Sequence, residues 1–334
     1  MTSNTASALI IGASGIVGSY TARLLRRLHP DLHIGIGGRN LDKAASLARS
    51  LGNASAVKVD LERPDLGMPS GAFSVMAVHV KDTQLNALRF AQEHRVPYIG
   101  ISSGAFEIAP EVAQFTQRPD RIAFVMGSQW LAGAATLPAL HFARDFSAIE
   151  SIRIDALLDE QDMGGPAAYA DYDRITAASP SMPVLENGHW RWIRADREGR
   201  RFKSVDGVMV DSQPYSPLDI MSLAAATDAR SVRLDLAVGE SASRRHGSPF
   251  STEIIITITG TSHSGESVSS RHEIVHPEGQ APLTALGVAL MMERLAGLKG
   301  AAPAAGLYLP DTLIEPSYMI ERMEQFGASI RLAA

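Results

Sequence analysis

A glycine-rich segment between an apolar run and an amphipathic stretch constrains the fold of this chain more than any other feature. Residues 8–11 are apolar, residues 12–18 read Gly-Ala-Ser-Gly-Ile-Val-Gly, and residues 16–28 carry apolar side chains at helical spacing. This order predicts a strand, a tight turn and a helix. Glycines here let backbone N–H groups approach a pyrophosphate at the positive end of the helix. The predicted dinucleotide contacts are Gly12, Ser14, Gly15, Ile16 and Val17.

Strand and helix patterns continue to alternate through about residue 125. Further strands are predicted at Leu32 to Ile36, Ala56 to Leu61, Ser74 to Val80, Tyr98 to Ile101 and Ile122 to Met126, with helices at Leu41 to Leu51 and Thr83 to His94. Such alternation is typical of a parallel, doubly wound sheet. We therefore predict an α/β protein whose first half is a Rossmann domain.

From about residue 147 the pattern changes to longer strand candidates. These are Ile149 to Leu158, Trp190 to Ala195, Phe202 to Val210, Ser231 to Val238, Ser251 to Thr261 and Ser267 to His276. Turns at 197–200 and 261–265 would join neighbouring strands as hairpins. Helices are predicted after Gly165-Pro166, at Leu283 to Leu298 and at Pro316 to Phe326. The second half is thus expected to be an α/β domain built on a largely antiparallel sheet.

The length of 334 residues fits about two domains. We expect a dinucleotide-binding domain at residues 1–128, joined by C-terminal helices from about residue 281 to 334. Residues 129–280 would form a substrate-binding and dimerisation domain. Few helices are predicted to cover both faces of its sheet, which favours a homodimer that buries one face.

Charge and cysteine content exclude several classes of function. Lys and Arg number 31 and Asp and Glu 36, and this balance argues against a nucleic-acid partner. The chain has no cysteine, which excludes thiolate nucleophiles and Cys-ligated zinc or iron–sulfur sites. The N-terminal residues do not resemble a signal peptide, and no apolar run approaches the roughly 18 to 20 residues that cross a bilayer. We expect a cytoplasmic protein with a small-molecule substrate and no membrane partner.

Two catalytic patterns are rejected. Residues 272–276 read His-Glu-Ile-Val-His, the zinc-protease pattern, but residues 267–275 alternate as a strand would. A strand would separate the rings of His272 and His276 by about 13 Å, so no metal site is expected. No tyrosine is followed four residues later by a lysine, which excludes the tyrosine–lysine mechanism of short-chain dehydrogenases.

The end of the second predicted strand bears on the choice of cofactor. Residues Gly38-Arg39-Asn40 there include no carboxylate to accept the ribose 2′-hydroxyl of NAD. Arg39 offers a cationic fork suited to a 2′-phosphate, with Asn40 as a neutral donor beside it. NADP is therefore expected, with Asp60 and Leu61 near the adenine. The alternative is that Arg39 is a solvated loop residue.

Candidate catalytic residues follow the fourth predicted strand, where ligands bind in open α/β sheets. Lys81 is the candidate to donate a proton or hold a substrate carboxylate, and His79 would share either task. Asp82 follows directly; the alternative is that it caps a helix while Lys81 is solvated. Further polar candidates are Gly127, Ser128, Gln129, Gln161, Asp162, Tyr169 and Tyr172.

Four stretches resemble the saccharopine dehydrogenase-like family of NADP-dependent oxidoreductases: residues 8–18, 37–44, 59–61 and 96–99. Residues 306–311 look like that family's late loop before the terminal helix. The resemblance implies a Rossmann domain, a mixed α/β domain for dimerisation and substrate binding, and C-terminal helices that return to the first domain. Members commonly have Asp where this chain has Gly100, and Pro-Gly where it has Gln129-Trp130. Saccharopine itself is therefore not implied as the substrate.

These features predict an oxidoreductase that transfers a hydride between NADP(H) and a small carbonyl, imine or amino-acid-type substrate. The alternative is a catalytically silent NADP(H)-binding redox sensor, and fold alone does not decide between them. The second sheet favours the enzyme, because it would provide a wall for a water-poor cleft.

Overall fold

The structure is a computed structural model that describes residues 6–68, 73–162, 164–215 and 218–333. The N-terminal residues 1–5, on which the expectation about a signal peptide rests, lie outside the described residues. The strands are β1 (Ser7–Ile11), β2 (His33–Gly38), β3 (Ala54–Lys58), β4 (Val75–Val78), β5 (Tyr98–Gly100), β6 (Ala123–Met126), β7 (Phe146–Asp159), β8 (Ser181–Glu186), β9 (His189–Arg194), β10 (Arg200–Lys203), β11 (Met209–Pro214), β12 (Ser231–Gly239), β13 (Thr252–Ser262), β14 (Ser267–His276), β15 (Gly306–Tyr308) and β16 (Ser329–Leu332).

The helices are α1 (Ile16–Leu28), α2 (Leu41–Leu51), α3 (Asn86–His94), α4 (Ile108–Phe115), α5 (Thr136–Ala143), α6 (Pro166–Ala178), α7 (Asp219–Ala226), α8 (Ala242–Arg245), α9 (Gln280–Leu295), α10 (Pro310–Leu313) and α11 (Pro316–Gln325). Short 3-10 turns occupy Ala105–Glu107 and Trp130–Gly133. In the part of the chain that the structure describes, no helix has both the length and the apolar character needed to cross a membrane.

The first sheet is parallel and has the strand order β15-β6-β5-β4-β1-β2-β3. The order reverses at β1 and β4, the switch point beside which ligands bind in such sheets. Strand β4 is apolar and buried along its whole length, as a central strand covered on both faces should be. The predicted Rossmann fold is confirmed.

The second sheet runs in the order β10-β11-β12-β7-β13-β14-β16, with β8 paired to β12 and to β9. Strands β7 and β12 are parallel, and the other pairs are antiparallel. Helices α5 and α7 pack against this sheet. The second, largely antiparallel sheet is therefore confirmed.

Three local predictions are wrong. The stretch from Phe202 to Val210 is not one strand, because the chain turns at Gly207 (φ +86°) and β10 pairs with β11. The turn at 197–200 joins no hairpin, since β9 pairs with β8 instead. Helix α3 begins at Asn86 rather than Thr83, because Leu85 adopts a left-handed φ of 56° before the first helical residue.

The chain divides into two compact units. The first comprises Met1–Ser128, Gly165–Asp171 and Thr284–Ile314, and the second comprises Gln129–Gly164, Tyr172–Leu283 and Glu315–Ala334. The last of these segments differs from the expectation that residues up to 334 join the first domain. It belongs to the second unit because β16 pairs with β14.

Candidate functional site

The glycine-rich turn joins β1 to α1 at the carboxyl edge of the first sheet. Gly12 has a φ of +86°, a left-handed conformation that favours glycine, and its carbonyl accepts a hydrogen bond from Gly15 N at 3.0 Å. At Gly18 an added Cβ would lie 2.5 Å from the Gly12 oxygen and 2.7 Å from Ala13 Cα. A side chain would be strained at Gly12 and would collide with backbone at Gly18, which fixes the shape of the turn.

The beginning of α1 is open to a ligand. Ser14, Gly15 and Ile16 are exposed. Among the described residues, no side chain caps the helix at Gly15, and its first turn has no acidic residue. The amide N–H groups and the positive end of the helix dipole therefore remain available to an anion. These features fit the pyrophosphate of a dinucleotide.

The end of β2 has open space beside Gly38, and the next residue, Arg39, is an exposed cation. An added Cβ at Gly38 would meet nothing within 4 Å. Arg39 is exposed, and within the described ranges its guanidinium has no hydrogen bond or ion pair. Asn40 Oδ1 caps α2 by accepting from Lys43 N at 3.0 Å, which leaves its amide donors for other partners.

Asp60 and Leu61 do not end the third strand, because β3 stops at Lys58. They lie half-buried in the turn that follows, where Asp60 Oδ1 accepts a hydrogen bond from Glu62 N at 3.1 Å. The structure thus gives Asp60 a local role in shaping this turn. Its predicted position beside the adenine stays a prediction.

Lys81 is enclosed by polar partners. Its Nζ lies 3.0 Å from Ser103 Oγ, 3.4 Å from Glu107 Oε1 and 3.5 Å from Glu111 Oε1. The Lys81 side chain is only 15% exposed, so it is not solvated. Burial raises the pKa of Glu111, and Lys81 opposes that rise. The ammonium thereby links the end of β4 to the beginning of α4.

His79 and Asp82 flank Lys81 but are more deeply buried. Neither ring nitrogen of His79 reaches solvent or has a hydrogen-bond partner among the described residues, and burial lowers its pKa to about 4. His79 is therefore a neutral imidazole at neutral pH. Asp82 Oδ2 accepts a hydrogen bond from Ala87 N at 2.6 Å and so caps α3, and burial raises its pKa.

Ser102 and Ser103, which follow β5 at the carboxyl edge of the first sheet, are site residues that sequence reasoning missed. Ser102 Oγ donates to Asp171, a residue of α6 in the first unit. Ser103 N donates to Ser128 Oγ at 3.1 Å, so Ser128, one of the predicted polar candidates, supports this edge. The available signal was the Ser-Ser pair directly after the predicted fifth strand.

Other polar candidates are engaged within the second unit. Gln129 Nε2 donates to Ser222 Oγ at 2.6 Å. Asp162 is buried and accepts hydrogen bonds from Thr252 Oγ1 at 2.9 Å and from Gln280 N at 2.7 Å. Burial raises the pKa of Asp162. Through these hydrogen bonds, Gln129 and Asp162 stabilise the loops in which they lie.

The fold, the glycine turn and the open beginning of α1 are those of a dinucleotide-binding domain. Residues 8–125 match the family model described as saccharopine dehydrogenase NADP binding domain. This match agrees with the resemblance noted in the sequence and covers its first half, the nucleotide-binding part of the chain. No curated protein matches the chain in sequence.

Three solved structures share the fold along nearly the whole chain. Saccharopine dehydrogenase (L-Glu forming) from Saccharomyces cerevisiae is 12% identical, with 98% of this chain and 100% of that chain covered and a TM-score of 0.72. Homospermidine synthase from Legionella pneumophila, in complex with NAD, is 9% identical, with 98% and 92% covered and a TM-score of 0.61. Amine dehydrogenase from Mycobacterium smegmatis is 12% identical, with 93% and 97% covered and a TM-score of 0.52. These identities support a shared fold alone.

Proposed function

We propose that this protein is an NADP-dependent oxidoreductase that transfers a hydride between NADP(H) and a small carbonyl, imine or amino-acid-type substrate. The observation that carries the proposal is the glycine turn with the uncapped beginning of α1, within a segment matched by an NADP-binding family model. The cofactor supplies the hydride chemistry when bound. The protein binds it, orients the substrate and excludes water.

Preference for NADP over NAD rests on Arg39. Its exposed guanidinium has no partner in the described part of the chain and stands at the end of β2, where an NAD-binding site would carry a carboxylate. Charge-assisted hydrogen bonds to one phosphate are worth about 1.5 to 3 kcal/mol, or roughly 10- to 150-fold in affinity. We expect NADPH to bind more tightly than NADH by that factor.

Titration of both cofactors against wild-type protein and Arg39→Ala tests this preference. The variant should lose most of the difference between NADPH and NADH. Arg49→Ala is the matched control, because Arg49 is an exposed arginine of α2 with no partner among the described side chains. Equal affinity of the wild-type protein for the two cofactors would contradict the preference.

Among the candidate catalytic residues, the geometry favours Lys81 over His79 and Asp82. The nitrogens of His79 are inaccessible to a ligand, and Asp82 holds the beginning of α3. The Lys81 ammonium can donate a proton at Nζ or hold a substrate carboxylate, with Glu111 and Glu107 keeping it in place. We assign His79 and Asp82 to positioning, because Asp82 follows Lys81 directly and His79 precedes it by two residues.

The two roles of Lys81 have different kinetic consequences. If Lys81 donates the proton, Lys81→Ala lowers kcat by about 10²- to 10⁴-fold, whereas loss of a substrate anchor chiefly raises KM. His79→Ala serves as the comparison, and unchanged NADPH affinity in both variants would show an intact nucleotide site. Wild-type kcat and KM in Lys81→Ala would contradict either role.

A screen for NADPH oxidation and NADP reduction across carbonyl, imine and amino-acid substrates tests the enzymatic function itself. Turnover with any of them supports the oxidoreductase. NADPH binding without turnover across the screen favours the redox sensor. The cytoplasmic location stays a prediction.

A further inference from the structure

Residues 165–171, which include the first turns of α6, begin beside the nucleotide-binding turn. They belong to the first compact unit, although in sequence they fall between β7 and β8 of the second sheet. An added Cβ on Gly165 would lie 3.5 Å from both Cδ1 and Cγ1 of Ile16. Ile16 is the first residue of α1 and follows the exposed Gly15. The beginning of α6 therefore contacts the beginning of α1.

The other end of this segment is fixed at a different strand. Asp171 accepts a hydrogen bond from Ser102 Oγ. Ser102 is 6% exposed and follows β5 at the carboxyl edge of the first sheet. The segment is thus attached beside β1 at Gly165 and beside β5 at Asp171.

The distance between these attachments matches the length of the segment. Strand β4 lies between β1 and β5, so two strand spacings of about 4.8 Å, or roughly 10 Å, separate them. Six helical steps from Gly165 to Asp171 rise about 9 Å. The first half of α6 therefore spans the carboxyl edge from β1 to β5, across the switch point.

The first half of α6 lies on the side of the sheet where the nicotinamide half of a dinucleotide would bind. Arg39 at the end of β2 marks the adenosine side, and the beginning of α1 marks the pyrophosphate. The nicotinamide half then extends over β4 and β5, beneath the segment that Asp171 and Ser102 hold.

We propose that residues 165–171 form the outer wall of the nicotinamide half of the cofactor site, and that Ser102 and Asp171 are positioning residues that fasten this wall. The proposal rests on the proposed binding of NADP(H). It assigns a cofactor contact to a segment whose sequence shows no nucleotide-binding motif. Breaking the Ser102–Asp171 hydrogen bond weakens the attachment of the wall beside β5 and leaves the glycine turn intact.

The test compares NADPH with 2′,5′-ADP, which contains the adenosine half without nicotinamide. Ser102→Ala and Asp171→Ala should each release NADPH about 10-fold faster, which corresponds to the loss of one hydrogen bond to a charged group. Their affinity for 2′,5′-ADP should equal that of the wild type. Ser102→Thr keeps a hydroxyl and should restore slow release. Asp173→Ala is the matched control, because Asp173 lies on the same helix and its carboxylate has no partner among the described groups.

Either variant overturns the proposal if it releases NADPH at the wild-type rate or loses NADPH and 2′,5′-ADP affinity equally. Hydrogen exchange of the wild-type protein tests the proposal without a variant that could fail to fold. Amides of residues 167–171 should gain protection from exchange with NADPH but not with 2′,5′-ADP. Equal protection by both nucleotides would contradict the proposal. Wild-type protein that binds neither nucleotide contradicts the proposed function instead.

Discussion

Gly18 has no room for a side chain at the point where α1 passes the glycine turn. The backbone of Gly12 and Ala13 occupies the position of its missing Cβ. Backbone atoms cannot move aside as the end of a flexible side chain can. The turn and the helix must therefore separate if any other residue replaces this glycine.

We expect Gly18→Ala to cost about 1 to 3 kcal/mol of unfolding free energy, the usual range for overpacking, and to lower NADPH affinity because the turn is displaced. Urea unfolding and NADPH titration measure the two effects. Gly239→Ala is the control, since an added Cβ at this last residue of β12 meets nothing within 4 Å. Wild-type NADPH affinity in Gly18→Ala would show that the turn tolerates a Cβ.

Local signals in the sequence predicted the residues of the glycine turn, but they could not show the surroundings of Lys81. The turn can be read from glycine spacing between a strand and a helix, which is a contiguous pattern. The partners of Lys81 are Ser103, Glu107 and Glu111, which come from beyond the next strand. Only the pairing of β4 with β5 brings these groups together.

Among the secondary-structure elements, α5 and α7 share one buried carboxylate. Asp219 begins α7, and its Oδ1 accepts from Thr136 Oγ1 at the beginning of α5 at 2.8 Å. Its Oδ2 accepts from Trp130 N at 2.8 Å. The side chain is fully buried, and burial raises its pKa to about 6. These bonds position both helices and the turn Trp130–Gly133.

This carboxylate makes stability depend on pH. Between an unfolded-state pKa of 3.8 and a folded-state pKa of about 6, the folded protein holds a proton that the unfolded chain releases. Stability from this group is therefore fully present below pH 4 and is lost as pH rises through 6, by about 3 kcal/mol. Asp219→Asn lacks this contribution. We expect its stability relative to wild type to rise by that amount between pH 4 and pH 7.

Urea unfolding of both proteins across this pH range measures the difference. In this difference, the contributions of titratable groups that the substitution does not affect cancel, because both proteins contain them. A difference in stability that stays constant with pH would contradict a raised pKa for Asp219.

The sequence predicts some strands accurately and misses others, and the difference has physical causes. β14 was predicted with its observed bounds, because it alternates regularly and Gly265 marks the turn before it. The hairpin of β10 and β11 was missed because two glycines compete as turn signals. Gly207 makes the turn, whereas Gly199 allows a close backbone approach, with an added Cβ 2.9 Å from the Ser212 oxygen. β15 has three residues and no pattern of its own, so only its pairing with β6 defines it.

In the molecule as a whole, the second unit carries exposed aromatic side chains that favour association with a second copy. Trp190 and Trp192 are 51% and 63% exposed. They alternate along β9 and so share one face. Tryptophan is costly to leave in water and is enriched in interfaces.

We expect a homodimer, and sedimentation at micromolar concentration should show it. Trp192→Glu should shift the equilibrium toward the monomer, because a buried charge in the interface would lack a partner. Leu41→Glu is the control, since Leu41 is an exposed apolar residue of the first unit. A monomeric wild-type protein at this concentration would contradict the prediction.

The position of β15 at the edge of the first sheet has a consequence for synthesis on the ribosome. The ribosome makes β6 early, yet its partner strand at Gly306–Tyr308 emerges only after the second sheet from β7 to β14 has been made. Until then the β6 edge, an apolar strand with unpaired N–H and C=O groups, stays open to wrong partners. This edge therefore has to be protected while the ribosome synthesises the strands from β7 to β14. The nucleotide-binding sheet is complete only once β15 has been synthesised.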